Sequence, residues 1–271
     1  MKNTLKKIYR KFFKKTHLKF RLFVNTRLNI GNRKQCYVCK VKFHHFGKFR
    51  HGSKNISDFL KNLQTIGSDT DNFNCFFCGS TDRTRHLFMF FDKLGIWEKF
   101  NDSKVLHFAP EPAVTKKITS LSPAEYTMAD LNPKDNTCKK IDVTAIPYEN
   151  SSIDIIICNH VLEHVPDYKK ALQEIFRVLT GNGFAILQTP YSLVLNRNFE
   201  EENIITDILR VFFYAQEDHV RLFSQKQLFN DIRQSGFDLK IVKHYDLFDD
   251  YASFYFGVNK KEDLIMAVKP I

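Results

Sequence analysis

The stretch that decides the fold is residues 141–190, which read IDVTAIPYENSSIDIIICNHVLEHVPDYKKALQEIFRVLTGNGFAILQTP. The run Ile153–Cys158 is apolar except for one aspartate, which is typical of a strand buried on both faces. A helical pattern spans Asp167–Leu179, the two glycines of TGNG are predicted to end it, and Phe184–Gln188 forms a second apolar run. Strand, helix and strand at this spacing predict a parallel βαβ unit.

Short apolar runs continue the pattern on both sides of this unit. Val105–Ala109 and Glu125–Ala129 are predicted as the first two strands, and Leu239–Lys243 and Leu264–Val268 as the last two. Strands that alternate with helical segments indicate a mixed α/β fold built around a mainly parallel sheet.

Two helices are predicted outside the central unit. The spacing of apolar residues over Thr84–Phe100 predicts a helix that connects the sheet to the N-terminal part of the chain. Ser224 is a good N-cap for a helix that runs to Arg233, and Gly236 is expected to stop it.

Polar side chains follow three of the strands at their carboxyl ends. Asp130 follows the second strand directly, Asp142 and Val143 come twelve and thirteen residues later, and Asn159 and His160 follow the central strand. Open α/β sheets bind nucleotides at this edge. One carboxylate can accept both hydroxyls of a ribose and another the amine of an adenine, so the sequence predicts a site for an adenosine-containing ligand.

Residues 105–190 resemble the class I S-adenosylmethionine-dependent methyltransferases, most specifically over Ile141–Pro190. They are similar to the branch of that superfamily that acts on small molecules. The resemblance implies a Rossmann-like seven-stranded sheet in the order 3-2-1-4-5-7-6, with strand 7 antiparallel, from about residue 103 to the C-terminus. It also implies a methyltransferase activity with S-adenosylmethionine as the cofactor.

The segment after the first strand departs from the usual pattern of that superfamily. It reads VLHFAPEP, with His107 where an acidic residue is usual, and it has no glycine. In this respect it resembles a bacterial subgroup with the sequence LHFAPE and CxxC pairs upstream. Ala109 is small enough for close approach of a cofactor, and Glu111 is placed to bind the cofactor's amine. The predicted cofactor-binding residues are His107, Ala109, Glu111, Asp130, Leu131, Asp142, Val143, Asn159 and His160.

Four cysteines occur in two CxxC pairs, Cys36 with Cys39 and Cys75 with Cys78. Four thiolates are the ligand set of a closed tetrahedral zinc site, so we expect a structural Zn²⁺ that stabilises a small zinc-ribbon-like module. The 35 residues between the pairs are more than in compact zinc ribbons, which leaves four reduced thiols without metal as the alternative.

The acceptor is predicted to bind near the long segment Tyr191–Phe223, which contains QEDHVRLFS. His219 is the predicted catalytic residue, either as a base for an acceptor hydroxyl or as a ligand of the substrate, since histidine titrates near neutral pH. Arg221 is predicted to anchor an acidic substrate. His160 and His164 compete with His219 for the first role.

Three functions remain open from the sequence. The first is methylation, at oxygen, of a small molecule or a glycan. The second is an RNA methyltransferase that grips phosphates with its basic N-terminus and zinc module. An NPPY-type motif for base methylation would follow the fourth strand, where Asn159 is instead followed by His160, so nucleic acid is the less favoured partner. The third is a non-catalytic zinc-bearing adaptor with a relict fold.

Positive charge is concentrated at the N-terminus. Residues 1–50 contain 11 Lys and 5 Arg and no Asp or Glu, whereas the rest of the chain is slightly acidic. The arm over residues 1–30 fits a basic amphipathic helix that could lie on an anionic membrane surface, or one that packs one face on the body. No apolar run of 18 residues and no secretory signal is seen, so we expect a cytoplasmic protein, in peripheral contact with the membrane if the arm binds lipid. The predicted organisation is residues 1–30 as the arm, 31–82 as the zinc module, 83–102 as the connecting helix and 103–271 as the methyltransferase domain.

Overall fold

The computed structural model describes residue 26 and residues 29–271. The prediction of a basic amphipathic arm over residues 1–30 therefore falls almost entirely outside the described residues. None of the helices within the described part is long and apolar enough to cross a membrane.

A seven-stranded sheet forms the centre of the fold, and five of its strands are parallel neighbours. The strands are β1 (Lys104–Phe108), β2 (Glu125–Asp130), β3 (Lys139–Lys140), β4 (Ile153–Cys158), β5 (Leu179–Ile186), β6 (Asp238–Val242) and β7 (Leu264–Val268). Their order across the sheet is β3-β2-β1-β4-β5-β7-β6. Strand β7 runs antiparallel to both of its neighbours, as the resemblance implies.

Six helices of seven or more residues accompany this sheet in the described part of the chain. They are α1 (Asp82–Leu94), α2 (Pro112–Thr119), α3 (Tyr168–Val178), α4 (Asp207–Tyr214), α5 (Gln225–Gln234) and α6 (Asp250–Phe256). Alternate residues of β4 face opposite ways: Ile156 packs in a core with residues of α3 and α5, and Ile155 packs in another with residues of α1 and α2. The fold is thus three layers, with the sheet in the middle.

Two predicted boundaries are wrong, and each has a local cause. The helix expected over Thr84–Phe100 ends at Leu94, because Gly95 adopts a left-handed conformation with φ 62°, and a 3-10 turn over Trp97–Phe100 follows. The glycines expected to end α3 instead lie inside β5. A Cβ on Gly183 would lie 2.8 Å from the carbonyl oxygen of Asp154, so glycine is needed there for close approach of two strands.

The N-terminal part of the described chain packs directly against the sheet domain. It contains a short hairpin of Lys34–Gln35 with Lys42–Phe43 and a short helix, Asp58–Asn62. Its strand Thr65–Ile66 pairs antiparallel with Tyr191–Ser192, the segment that follows β5. Residues 29–81 (the first module) and the segment that follows β5 therefore share one small sheet.

Arg85 ties the same two parts together. This arginine, in α1, is fully buried. Its guanidinium donates to the carbonyl oxygens of Ser80 at 2.9 Å and of Gly257 at 2.7 Å, and also to those of Asn72, Phe73 and Phe256. A single buried cation thus joins the segment around the second CxxC pair to the end of α6.

Candidate active site

A buried histidine at the end of β1 holds a glutamate. Nδ1 of His107 lies 2.8 Å from the Tyr126 hydroxyl, and Nε2 lies 2.8 Å from Oε2 of Glu111. Burial is the largest single influence and opposes ionisation of Glu111. The hydrogen bond and electrostatic attraction of His107, with smaller contributions from a backbone hydrogen bond and from His160, together lower the pKa of this carboxyl below its usual value. The side chain of His107 is fully buried, so its predicted direct contact with the cofactor stays a prediction. This side chain positions the charged Glu111.

The turn after β1 keeps the conformation that a glycine would provide. Ala109 has φ 46° and lies in the left-handed region, which costs an L-residue about 1 kcal/mol relative to glycine. Its backbone N–H donates to the carbonyl oxygen of Ala129 at 2.9 Å, which fixes the turn against β2. Residue 109 therefore adopts a backbone conformation that glycine favours, although the segment contains no glycine.

The two carboxylates predicted to bind adenosine lie at the same edge of the sheet. The N–H of Ile141 donates to the carbonyl oxygen of Asp130 at 3.1 Å, so Asp142 is one residue from the partner of Asp130. Oδ1 of Asp130 accepts the N–H of Asn132 at 2.7 Å, and Oδ1 of Asp142 accepts the N–H of Thr144 at 2.8 Å. Within residues 29–271, Oδ2 of each carboxylate accepts no hydrogen bond. The apolar residues beside them differ in exposure: Leu131 is 54% exposed and Val143 is buried.

Three other predicted cofactor residues meet in one narrow cleft. Glu111, Asn159 and His160 line it at the carboxyl ends of β1 and β4, and Arg83 and His86 of α1 form the facing wall. The cleft holds about 10 Å³, which is about the room needed by one water molecule. A larger group can enter only if side chains that line the cleft move.

A much larger cavity, of about 690 Å³, opens beside this cleft. Its walls come from residues 49–73 of the first module, residues 211–216 around the end of α4, and the sheet domain. The sheet domain contributes His160, Glu163 and His219. Arg83 and His160 line both spaces, so the cleft and the cavity are adjacent.

Glu163 is a buried carboxylate with one unpaired oxygen. The residue is 1% exposed. Oε2 accepts a hydrogen bond from the Thr189 hydroxyl at 2.7 Å, whereas Oε1 has no hydrogen-bond partner among the described residues. Oε1 lies 3.3 Å from Nδ1 of His160 and 4.0 Å from Nε2 of His219. Burial opposes ionisation of Glu163, but the nearby histidines outweigh it and lower its pKa to about 2.

The predicted catalytic histidine lies beside this carboxylate. Nδ1 of His219 donates to the carbonyl oxygen of Tyr214 at 2.7 Å, which leaves the lone pair on Nε2. Burial lowers the pKa of His219 below its usual value, although Glu163 acts in the opposite direction. The ring of His164 packs edge-on against that of His219, with 4.7 Å between the centroids. The structure thus brings together all three histidines that the sequence offered for this role.

Arg221 has a different position from the one predicted. Its guanidinium is 2% exposed and donates to the carbonyl oxygens of Leu162 at 3.1 Å, of Pro166 at 2.7 Å and of Val165. It also pairs with Oε2 of Glu200 at 3.0 Å. The side chain therefore holds the loop between β4 and α3, and it does not line either space described above. Its predicted role as an anchor for an acidic substrate gains no support from this position and stays a prediction.

The four cysteines of the CxxC pairs converge on one point. Their sulfur atoms all lie within 4.8 Å of one another. Sγ of Cys36 is 3.6 Å from that of Cys78, and Sγ of Cys39 is 3.8 Å from that of Cys75. Tetrahedral zinc–thiolate bonds of about 2.3 Å would separate the sulfurs by about 3.8 Å. The spacing fits a Zn²⁺ and is far too long for disulfides.

Both pairs have the same loop geometry. The N–H of Lys40 donates to the carbonyl oxygen of Cys36 at 2.8 Å, and the N–H of Gly79 donates to that of Cys75 at 2.9 Å. Lys40 and Gly79 both adopt left-handed conformations, with φ 62° and 74°. The two loops are thus equivalent knuckles, although only one has the glycine that such a turn favours.

Sequence reasoning missed Glu163 as a functional candidate. It lies between His160 and His164 in the quoted segment NHVLEHV, but its burial and its bond to Thr189 depend on the distance between β4 and β5. Arg83 was missed because it belongs to a helix that was predicted to be only a connection. Two histidines close to one acid in the sequence were the available signal for Glu163.

Comparisons with known proteins agree with this fold. Residues 104–187, from the start of β1 to the residue after β5, match a family model described as a methyltransferase domain. No significant match is found among curated proteins.

Several solved structures are similar to the chain. An S-adenosylmethionine-dependent methyltransferase from Mesorhizobium loti is 12% identical, with 66% of this chain and 96% of that one covered and a TM-score of 0.48. The YcgJ protein of Bacillus subtilis is 16% identical, with 66% and 99% covered and a TM-score of 0.44. Phosphoethanolamine N-methyltransferase 2 of Haemonchus contortus, in complex with S-adenosylhomocysteine, is 13% identical, with 66% and 53% covered and a TM-score of 0.43.

The family match and the observed strand order define one class of fold. Residues 104–187 match a methyltransferase domain, and the sheet around them has a Rossmann-like methyltransferase fold.

Proposed function

We propose that the protein is an S-adenosylmethionine-dependent methyltransferase that acts on a small polar acceptor. The observation that carries this proposal is the juxtaposition of two features at one edge of the sheet. Carboxylates lie at or just after the carboxyl ends of β1, β2 and β3, as an adenosyl cofactor requires, and a cavity large enough for an acceptor opens beside the end of β4.

The residues at the carboxyl ends of the strands fit the cofactor. Asp130 and Asp142 each keep one carboxylate oxygen unpaired within residues 29–271, and these oxygens would accept the ribose hydroxyls and the adenine amine. The exposed side chain of Leu131 offers apolar surface beside them. Glu111, kept ionised by His107, would pair with the cofactor's amine. Asn159 and His160 line the same cleft.

S-adenosylmethionine supplies an electrophilic methyl group on a sulfonium when it is bound. The protein's own contribution is to orient the acceptor and to remove water from around it. For a hydroxyl acceptor a proton must also be taken, and His219 offers a neutral ring with its Nε2 lone pair beside the cavity. His219 is thus placed either as a base or as a ligand of the substrate.

The shape of the cavity favours a small molecule or a saccharide as the acceptor. A volume of about 690 Å³ is within the range of small-molecule sites. Its lining combines apolar side chains such as Ile66 and Phe73 with the charged groups of Lys61, Arg83 and Lys261. Such a mixture suits a hydroxyl-bearing acceptor with acidic groups, and we propose O-methylation as the reaction.

Substitution of Asp130 tests the proposed cofactor site. Loss of a charge-assisted pair of hydrogen bonds costs about 1.5–3 kcal/mol, so Asp130→Asn should weaken S-adenosylmethionine binding about 10- to 100-fold in calorimetric titrations. Asn keeps an oxygen that can accept the N–H of Asn132, so the turn should survive.

Asp135→Asn is the matched control. Asp135 lies in the same loop, and its Oδ1 accepts the N–H of Thr137 at 3.0 Å in the same manner. Equal cofactor affinity in the two variants would show that Asp130 does not hold the ribose.

We further propose that Cys36, Cys39, Cys75 and Cys78 bind one structural Zn²⁺. The convergent sulfurs and the paired knuckles support this assignment. Metal analysis should find about one zinc per chain in the wild type and well under one in Cys39→Ser. Cys138→Ser, which changes a cysteine outside the group, should keep its zinc. A wild-type protein without zinc would contradict the proposal.

A further inference from the structure

Two groups that line the large cavity, Glu163 and His219, and the neighbouring His164 share the arrangement of a metal site. One donor atom from each of Glu163, His164 and His219 lies within 4.8 Å of the other two. Two imidazoles and one carboxylate form a ligand set that many divalent transition metals accept, with further positions open to other ligands. This group is separate from the four cysteines.

The hydrogen bonds around these groups have the form expected behind metal ligands. Nδ1 of His219 donates to the carbonyl oxygen of Tyr214 at 2.7 Å, and Nδ1 of His164 lies 3.1 Å from the carbonyl oxygen of Asp218. A ligating histidine usually donates its other ring N–H to a carbonyl or a carboxylate, and a ligating carboxylate is usually hydrogen-bonded as well. Oε2 of Glu163 is bonded to Thr189, which leaves Oε1.

No hydrogen lies between Nε2 of His219 and Oε1 of Glu163. Because the proton of His219 is on Nδ1, the lone pair of Nε2 lies 4.0 Å from the anionic Oε1 of Glu163. That oxygen is in a side chain that is 99% buried, and it has no hydrogen-bond partner among the described residues. Two lone pairs at this distance in a buried site repel each other, and a cation between them would remove that repulsion. Nδ1 of His160 lies 3.3 Å from the same oxygen.

We propose that Glu163, His164 and His219 bind a divalent transition-metal ion at the wall of the 690 Å³ cavity. Bonds of about 2.1 Å place neighbouring ligand atoms about 3.0–3.5 Å apart, so the ion would draw the three side chains together by about 1 Å. Glu163 and His219 line the cavity, and an acceptor oxygen would reach the open positions of the ion from there.

This inference assigns His219 the role of ligand rather than base. The metal site itself stands on the geometry of the three side chains, whereas its role in orienting the acceptor rests on the proposed methyltransferase function. The ion would lower the pKa of a bound acceptor hydroxyl, as metals do for bound water.

Cobalt binding to the zinc-loaded, full-length protein tests the proposal. With the cysteine site already filled by zinc, Co²⁺ should bind with one equivalent per chain in calorimetry and should remain after desalting in metal analysis. His164→Asn should weaken Co²⁺ binding at least 10-fold. Its side chain is 28% exposed, so this variant should keep its fold, which thermal unfolding would verify.

His51→Asn is the matched control, because His51 is exposed and has a left-handed backbone that asparagine accepts. Absence of cobalt binding by the wild type, or equal binding by the two histidine variants, would overturn the metal site. Titration of the same samples with S-adenosylmethionine separates the two proposals: cofactor binding without cobalt binding refutes only the metal site, and cobalt binding without cofactor binding refutes only the methyltransferase.

Discussion

Replacement of Arg85 by methionine should strongly destabilise the fold. The guanidinium is fully buried and donates to five backbone carbonyl oxygens on both sides of the contact between the first module and α6. Methionine has a similar length but no donors, so these buried carbonyls would lose their partners. Each unsatisfied buried group costs about 1–3 kcal/mol.

The expected loss is smaller than the sum of these costs. Removal of Arg85 also relieves the desolvation that lowers the pKa of this guanidinium, and some of the carbonyls can reach water after relaxation. Loss of one partner from a buried charged network typically costs about 3–5 kcal/mol, and we expect a decrease of that size in the free energy of unfolding. The variant should also lose zinc faster, because Arg85 bonds Ser80 close to the second CxxC pair.

Urea denaturation of the zinc-loaded protein measures this effect. Arg83→Met provides the control, since Arg83 lies on the same helix, is half-buried and makes no hydrogen bond from its guanidinium within the described residues. We expect Arg83→Met to change the free energy of unfolding by less than about 1 kcal/mol. If Arg85→Met lost no more stability than Arg83→Met, the reasoning would be refuted.

Three further substitutions have definite expected outcomes. Ala109→Gly should leave the free energy of unfolding unchanged or raise it by up to about 1 kcal/mol, whereas Ala109→Val should lower it by more, because φ is 46°; urea denaturation of both variants decides, and equal stability would contradict the account. Gly183→Ala should cost about 2 kcal/mol or more, since its Cβ would lie 2.8 Å from a carbonyl oxygen, while Gly67→Ala, with its nearest atom at 3.4 Å, should cost less than 1 kcal/mol. Burial lowers the pKa of His244 to about 4, so its neutral form favours folding above pH 6.5, and this contribution should be lost as the pH falls from about 6.5 to 4. His244→Asn should therefore lose less stability than the wild type over that interval in denaturation at several pH values, and parallel curves would be inconsistent with a buried neutral histidine.

The sheet was largely predictable because its signals are local. The apolar run Ile153–Cys158 and the strand Leu264–Val268 have the same bounds in the structure as in the sequence pattern. Ser224 caps α5 as predicted, with its side chain accepting the N–H of Gln227. These features depend on periodicity and on the chemistry of single residues, which the sequence states directly.

The features that the sequence did not predict depend on contacts between distant segments. Thr65–Ile66 pairs with residues more than 120 positions later, and the carbonyls held by Arg221 belong to a loop some 55 residues earlier. His107 was predicted to bind cofactor because it stands where an acidic residue is usual in the resembling superfamily, but its burial against Tyr126 and Glu111 follows from the packing of α2. Neither the depth of a side chain nor its partner is encoded in its immediate neighbours.

A crystal structure of the protein with S-adenosylhomocysteine would test the central claim most directly. The account predicts that the adenosine lies across the carboxyl ends of β1 and β2, with both ribose hydroxyls within about 3 Å of Asp130 and the adenine amine near Asp142. It further predicts that Arg83 and His86 have moved away from Glu111. Nucleoside density at another surface, with both carboxylates still exposed to solvent, would contradict the assignment.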